Sequence, residues 1–336
     1  RFVGHAGVSS EEQVFTHLES NRLRREAGLT QEVIHVSSAA TFASNIPDSY
    51  HGLYTLVSPE EIRGILETPT DDFIATLSYQ KGCVNSALFT EEIAEYLMRT
   101  YPKRFAFYEH TTIRKLVLKH DHALLDGGEH EVRAGHIVLC TNGFEHIHIL
   151  NETGLDIDAK YHHLLSGKIG YMSGYLERFD KPPTAISYFT DPSADPDNSY
   201  FYLTRRGYEY EKGMEHNLVS VGGPDVPVED TAHYSLEDDF PDEMEEMIDT
   251  FVRRTYDTEP NKKIDYLFTW HGLMGYTKNG VRLIGPEPKN PVLLYNLGCN
   301  GVGILPSLHG GREIARHLAG EKVEESIFDV PARDPG

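Results

Sequence analysis

The sequence predicts a mixed α/β fold in which a buried, largely parallel sheet is interleaved with an antiparallel one. Three stretches carry that prediction. Residues 291–297 are a continuous apolar run, followed by Gly298-Cys299-Asn300-Gly301-Val302-Gly303 and an apolar-periodic stretch to Leu318. That order reads as buried strand, glycine-rich turn and helix. Far upstream, residues 136–140 are too uniformly apolar for an edge strand. They read as a central parallel strand ending in the small polar turn Thr141-Asn142-Gly143. Between about 160 and 268 the texture changes: β-like segments at 168–175, 200–204 and 218–221 are separated by turns rich in proline and aspartate, as in an antiparallel sheet.

The remaining elements follow from local signals. Ser9 or Ser10 can cap a helix opening on Glu11-Glu12 and running to Ala27, with Gly28 as its stop. Ser58-Pro59-Glu60-Glu61 pairs a cap with proline at the first helical position and starts a short helix to Leu66. Residues 89–98 place Ile93, Ala94, Leu97 and Met98 on one helical face, ended by Pro102. β signals come next at 105–109 and 113–118, then a hairpin turning at Asp126-Gly127-Gly128. A helix from Pro241 to about Tyr256 buries Met244, Met247, Ile248, Phe251 and Val252, and its acidic residues form a solvated face. A last β segment, 266–270, brings the chain back to the first sheet.

The bulk properties of the chain mainly exclude. Its 336 residues suffice for one large domain or two interleaved ones. A formal net charge of −21 argues against nucleic acid or an anionic membrane surface as partner. No run approaches the roughly 18 apolar residues of a membrane span. Three cysteines without metal or redox spacing suit a reducing, cytoplasmic compartment.

Two of these elements, with two further motifs, give the chain a family likeness. The ending Cys140-Thr141-Asn142-Gly143, the turn Gly275-Tyr276-Thr277, the run Arg282-Leu283-Ile284-Gly285 and the Gly298–Gly303 loop occur in an order and spacing that resemble the flavin-dependent oxidoreductases of the D-amino-acid-oxidase-like family. Arg1-Phe2-Val3-Gly4-His5-Ala6-Gly7 is similar to the tail of a further glycine loop of that family, which passes near the flavin. The resemblance implies a Rossmann-like FAD-binding domain formed by residues 1–45, 81–155 and 266–336, and an antiparallel-sheet substrate domain formed by 46–80 and 156–265. It also implies a departure. The family's first βαβ unit, with its G-x-G-x-x-G fingerprint, has no counterpart in the sequence. Gly222-Gly223 and Gly127-Gly128 are followed by Pro224 and Glu129 and open no helix. The FAD-binding domain is therefore expected to be truncated at its N-terminal side, with the unit lost, or supplied by another chain or a segment upstream.

The chemistry implied is hydride transfer from a C–N carbon of a small amine or amino acid to non-covalently bound FAD, which carries the difficult step itself. By motif match the cofactor-side residues are Gly4, Ile113, Thr141, Asn142, Gly143, Gly275, Gly298, Asn300, Gly301, Val302 and Gly303. The amides of the last loop are to cushion the electron-rich edge of the ring. Some family members tether the flavin through a cysteine near the "YT" turn, but residues 272–277 hold no thiol. Two residues beyond that turn's threonine the family commonly has aspartate; here Asn279 stands. Arg205 and Arg206 follow the strand at 200–204, where a bidentate arginine would suit a substrate carboxylate. The plainer alternative is a pair of surface arginines. Arg205, Tyr202 and Trp270 are the candidate substrate-side residues, with His271 and Tyr171 nearby. His146, His148, His162 and His163 could suggest a metal site, but no carboxylate or cysteine completes a ligand set, so none is expected. Two other readings stay open: a non-catalytic binding or assembly subunit that keeps the fold, and a metal-dependent hydrolase resting on the histidines alone.

Overall fold

The computed structural model describes residues 1–128, 130–142, 147–155, 157, 165–190, 200–256 and 263–329. The chain opens with β1 (Phe2–Val8), α1 (Glu11–Glu26) and β2 (Val33–Ser37). Ser10 Oγ accepts the Gln13 N–H and Gln13 Oε1 accepts the Ser10 N–H, so α1 starts in a closed capping box. β3 (Thr55–Val57), α2 (Pro59–Leu66), β4 (Ala75–Lys81) and α3 (Ser86–Thr100) follow. Ser58 caps α2 by accepting the Glu61 N–H, with Pro59 in the first turn. The helix stops on Glu67, whose φ of 51° puts it in the left-handed region.

The middle of the chain is a meander of short strands: β5 (Lys115–Leu118), β6 (Ala123–Asp126), β7 (Glu131–Ala134), β8 (Ile137–Leu139) and β9 (His148–Asn151). The β6–β7 hairpin turns at Asp126-Gly127-Gly128, where Gly128 takes a φ of 85°. Residues 105–109 form no strand. Longer strands come next: β10 (Leu165–Arg178), β11 (Thr184–Phe189), β12 (Tyr200–Glu211) and β13 (Met214–Val228). The chain ends with α4 (Asp242–Thr255), β14 (Tyr266–Thr277), β15 (Leu283–Glu287), β16 (Asn290–Leu297) and α5 (Ile304–Leu318). Among the described residues no helix is long and apolar enough to cross a membrane.

Contacts divide the chain into two compact units. The first comprises Arg1–Phe89, Gly170–Asp225 and Asp239–His271; the second comprises Thr90–Ile169, Val226–Asp238 and Gly272–Gly336. Residues 1–45, expected on the FAD-binding side, thus lie with the large sheet of the first unit. The reason is β1, which pairs in parallel with β11 and antiparallel with β4.

The first unit is built on a sheet of order β14-β10-β13-β12-β11-β1-β4-β2-β3, of which β10, β13 and β14 also contribute residues to the second unit. Because side chains alternate along each strand, the register sorts residues onto two faces. On one face Ala6, Val8, Ile34, Val36, Ala75 and Leu77 receive Val14 and Leu18 of α1. On the other, Tyr188, Phe201, Leu203, Val219 and Val221 pack under Leu66 of α2 and Ile248, Phe251 and Val252 of α4. Phe201 and Phe251 lie stacked at 4.1 Å with their rings nearly parallel. Gly222 sits opposite Tyr202, and a Cβ on it would overlap the Tyr202 ring. A Cβ on Gly223 would overlap the Phe201 ring on the opposite face.

The second unit holds two smaller sheets, β7-β6-β5-β9 and β15-β16-β8. Their shared core includes Leu116, Leu118, Ile137, Leu139, Ile149, Leu293, Tyr295 and Leu297. β8 is parallel to β16, in the register Leu293↔Ile137 and Tyr295↔Leu139. It ends its sheet, however, rather than lying centrally as expected. Ile137 and Leu139 are buried, whereas Val138 is 38 % exposed. α5 covers the other side of β15 and β16 through Ile314, against Ile284 and Leu294.

Candidate functional site

The motifs expected on the cofactor side meet at one corner of the second unit. Asn142, at the end of β8, takes a φ of 63°, and its Oδ1 accepts the N–H of Cys299 at 3.1 Å. Asn300 takes a φ of 49°; its Oδ1 accepts the Thr277 N–H at 2.8 Å and the Thr277 hydroxyl at 3.2 Å, while its own N–H donates to Gly275 O at 3.0 Å. Two asparagines, which tolerate left-handed backbone better than most residues, therefore stitch the ends of β8, β14 and β16 together. The glycines are required by this closeness. A Cβ on Gly275 would run into the Asn142 backbone, and one on Gly301 would lie 2.9 Å from the Tyr276 hydroxyl. Lys168 Nζ sits 4.7 Å from the centre of the Tyr276 ring.

The loop's donors are divided between two uses. The N–H groups of Cys299, Asn300 and Val302 are consumed internally, the last by Cys299 O. Those of Gly301, Gly303, Ile304 and Leu305 have no acceptor among the described residues. Gly303 begins α5 without a side-chain cap, so the positive end of the helix dipole stays open beside them. Val302, Ile304 and Leu305 are exposed around these donors, with Leu305 at 73 %. Uncapped amides, close-approach glycines and an apolar rim fit a flat, electron-accepting ring with an electron-rich edge, such as an isoalloxazine. Asn300, one of the residues expected on the cofactor side, braces the loop through Thr277.

Beneath the loop lies a residue that sequence reasoning quoted but did not single out. Arg282, just before β15, is 7 % exposed. Its Nε donates to Asn296 Oδ1 and its Nη2 to Asn296 O, both at 2.6 Å, while Nη1 donates to Gly298 O at 3.1 Å. Nothing in its neighbours Val281 and Leu283 marks it as buried. Ile113, the expected adenine neighbour, precedes β5 and packs on the second unit's core. Thr141 borders Asn142. Gly143 lies outside the described residues, as do His146, His162 and His163. Among the described residues no group of histidine, cysteine, aspartate and glutamate is placed to hold a metal.

The substrate-side candidates belong to the first unit. Arg205 is a core residue, not a surface one. Its side chain is fully buried on the α4 face, with two bonds to the Glu67 carboxylate at 2.5 and 2.8 Å, one to the Tyr256 hydroxyl at 2.5 Å and one to Pro182 O at 2.9 Å. Burial alone would weaken its charge, but Glu67 and Tyr256 outweigh that and hold the guanidinium firmly protonated. It has no free side for a substrate carboxylate. The left-handed turn at Glu67 carries that carboxylate to the end of α2, where it pairs with Arg205. Glu177 lies 3.7 Å from Arg205 Nε, and burial pushes its carboxyl above the usual range.

Tyr202 and Arg206 occupy the opposite face by strand alternation. Burial raises the Tyr202 phenol well above its ordinary range. Arg206 lies beside the Tyr208 ring. Trp270, on β14, is 42 % exposed, and His271 and Tyr171 are ring neighbours at 5.8 Å. Gly4, expected near the flavin, is mid-strand in β1, where a Cβ would overlap the Lys81 side chain.

Comparison with known proteins identifies the fold and the family. No protein of curated function matches the sequence. Among solved structures, glycine oxidase from Bacillus cereus ATCC 14579 superposes with a TM-score of 0.63 at 14 % identity, over 96 % of this chain and 73 % of that one. L-proline dehydrogenase from P. horikoshii gives 0.65 at 14 % identity, over 95 % and 73 %. A thermally stable fructosyl peptide oxidase mutant gives 0.63 at 14 % identity, over 97 % and 73 %. At such identities the likeness is one of fold. The model of the FAD dependent oxidoreductase (DAO) family matches residues 21–317, nearly the whole chain, and spans every motif that meets at this corner. The chain belongs to the FAD-dependent oxidoreductases of the DAO family, and its cofactor is FAD.

Proposed function

We propose that this oxidoreductase oxidises a carbon–nitrogen bond of a small amine or amino acid. The observation that carries the reading is the meeting of Asn142, Gly275 and Gly298–Gly303 beside the four open amides of Gly301, Gly303, Ile304 and Leu305. The fold neighbours point the same way in substrate class, being a glycine oxidase, an L-proline dehydrogenase and a fructosyl peptide oxidase. Bound FAD supplies the hydride acceptor. The chain's part is to bind, orient and keep water out.

Thr141, Asn142, Gly143, Gly275, Gly298, Asn300, Gly301, Val302 and Gly303 are the residues proposed to hold the cofactor, with Ile113 and Gly4 assigned by family position alone. The open amides and the start of α5 stabilise negative charge at the ring edge. Val302, Ile304 and Leu305 shed water from its faces. With no thiol at 272–277, binding is non-covalent. On the substrate side, Tyr202 remains protonated and donates a hydrogen bond rather than acting as a base. Arg206 takes the carboxylate role that Arg205, spent in the core, does not fill. Trp270 offers an apolar wall.

The test is the visible spectrum of the purified chain with added FAD, followed by anaerobic addition of substrates. Bands near about 370 and 450 nm establish flavin uptake. Bleaching of the longer band by amines or amino acids, and not by the matching 2-hydroxy acids, supports the assignment. Bleaching by hydroxy acids alone sinks it. A sample that stays colourless leaves the binding-subunit reading in its place.

A further inference from the structure

Arg282 is buried on neutral partners only: two oxygens of Asn296 and the carbonyl of Gly298. No carboxylate pairs with it among the described residues. Burial accordingly pulls it below the ordinary arginine range. A buried cation without a counter-ion is unfavourable in a folded protein unless something else meets it.

The residues it holds say where that partner sits. Asn296 also donates from Nδ2 to Ser307 O, and its side chain lies against Gly310, where no Cβ would fit. One guanidinium therefore ties together the end of β16, the root of the Gly298–Gly303 loop and the first turns of α5. Its three bonds turn carbonyls toward itself, which leaves the loop's free N–H groups available to a ligand.

We propose that Arg282 is the positioning residue of this loop and the standing positive charge behind it, matched to the electron-rich edge of the bound flavin. The proposal rests on the cofactor reading above. Three forms of the chain are compared: wild type, R282K and R282M. FAD affinity is measured from the spectrum, the potential of the bound flavin by equilibration with a reference dye, and folding by thermal unfolding without FAD. R282M is expected to bind FAD about 10- to 100-fold more weakly, and the flavin it retains to be harder to reduce. R282K keeps the charge but loses the planar fork. It should bind FAD more weakly than wild type while its flavin potential stays near the wild-type value. A purely structural arginine would give both variants the same potential as wild type, which overturns the proposal, as does wild-type FAD affinity in R282M. Should R282M not fold, R282Q takes its place, because it removes the charge but keeps an amide donor: a flavin harder to reduce than in wild type supports the proposal, and a wild-type potential or wild-type FAD affinity overturns it. A wild-type chain that takes up no FAD refutes the cofactor reading itself, a result distinct from any of these.

Discussion

Among the described residues each unit buries one arginine almost completely, and the two are held in opposite ways. Arg205 is clasped by a bidentate carboxylate, a phenol and a carbonyl, with a second carboxylate close by. Arg282 has only amide oxygens. A closed charge system of the first kind fixes the packing of a core and is spent in doing so. A charge held only by dipoles keeps part of its field for an outside partner. The residue chosen for chemistry from its place after an aromatic strand is thus bound into the core, and the unremarked residue is the one beneath the Gly298–Gly303 loop.

The sharpest way to break that comparison is to remove each cation in the absence of FAD. Arg205→Met leaves Glu67 and Glu177 without their partner and is expected to lose about 3–5 kcal/mol of stability. Arg282→Met orphans no carboxylate and should lose clearly less. Equal losses in chemical denaturation would erase the distinction. Next in size is Asn300. Asn300→Ala strands the Thr277 N–H and puts a residue with less tolerance for left-handed backbone at a φ of 49°, for about 1–3 kcal/mol. Asn300→Gly removes the backbone strain and leaves only the lost acceptor, so it should fall between alanine and wild type. If glycine equals wild type, the brace through Thr277 contributes nothing.

Smaller still is Tyr202→Phe. Loss of one substrate hydrogen bond should raise KM about tenfold with little change in stability, and an unchanged KM would remove Tyr202 from the substrate side. The smallest expected effect is a matter of pH. Burial, chiefly, raises the Glu177 carboxyl above the ordinary value of 4.5. The folded state therefore holds a proton that the unfolded chain releases first, and stability falls as pH climbs from the ordinary carboxylate range through the raised value. Glu177→Gln should flatten that stretch of the melting-temperature profile. A wild-type slope in the variant would assign the dependence to another group.

What was legible in the sequence was local. The capping box at Ser10, the proline start of α2, the hairpin at Asp126 and the strand–turn–helix ending in α5 all depend on neighbours within a few residues, and all are present. The meeting of Asn142 with the Gly298–Gly303 loop spans 157 residues, and only the ordered family motifs announced it. Charge burial had no such announcement. Arg205 reaches Glu67 across 138 residues, and Arg205 and Arg206 look alike in sequence although alternation sends them to opposite faces. Residues 105–109 carry aromatic β signals with no strand to pair with and remain irregular. β8 is as apolar as an inner strand, yet only β16 pairs with it among the described residues.

Gly222 and Gly223, which open no helix and bind no nucleotide phosphate by any visible motif, have a different office. Each lies beneath an aromatic ring of β12, Tyr202 on one side of the sheet and Phe201 on the other. They work as a paired notch. Were β12 to slide one step along β13, a ring would come opposite Val221 or Pro224 instead of a glycine, and Phe201 would be swung away from its stack with Phe251. Two hydrogen atoms in place of side chains thus keep the widest sheet of the molecule in step, and with it the side from which Tyr202 and Arg206 project.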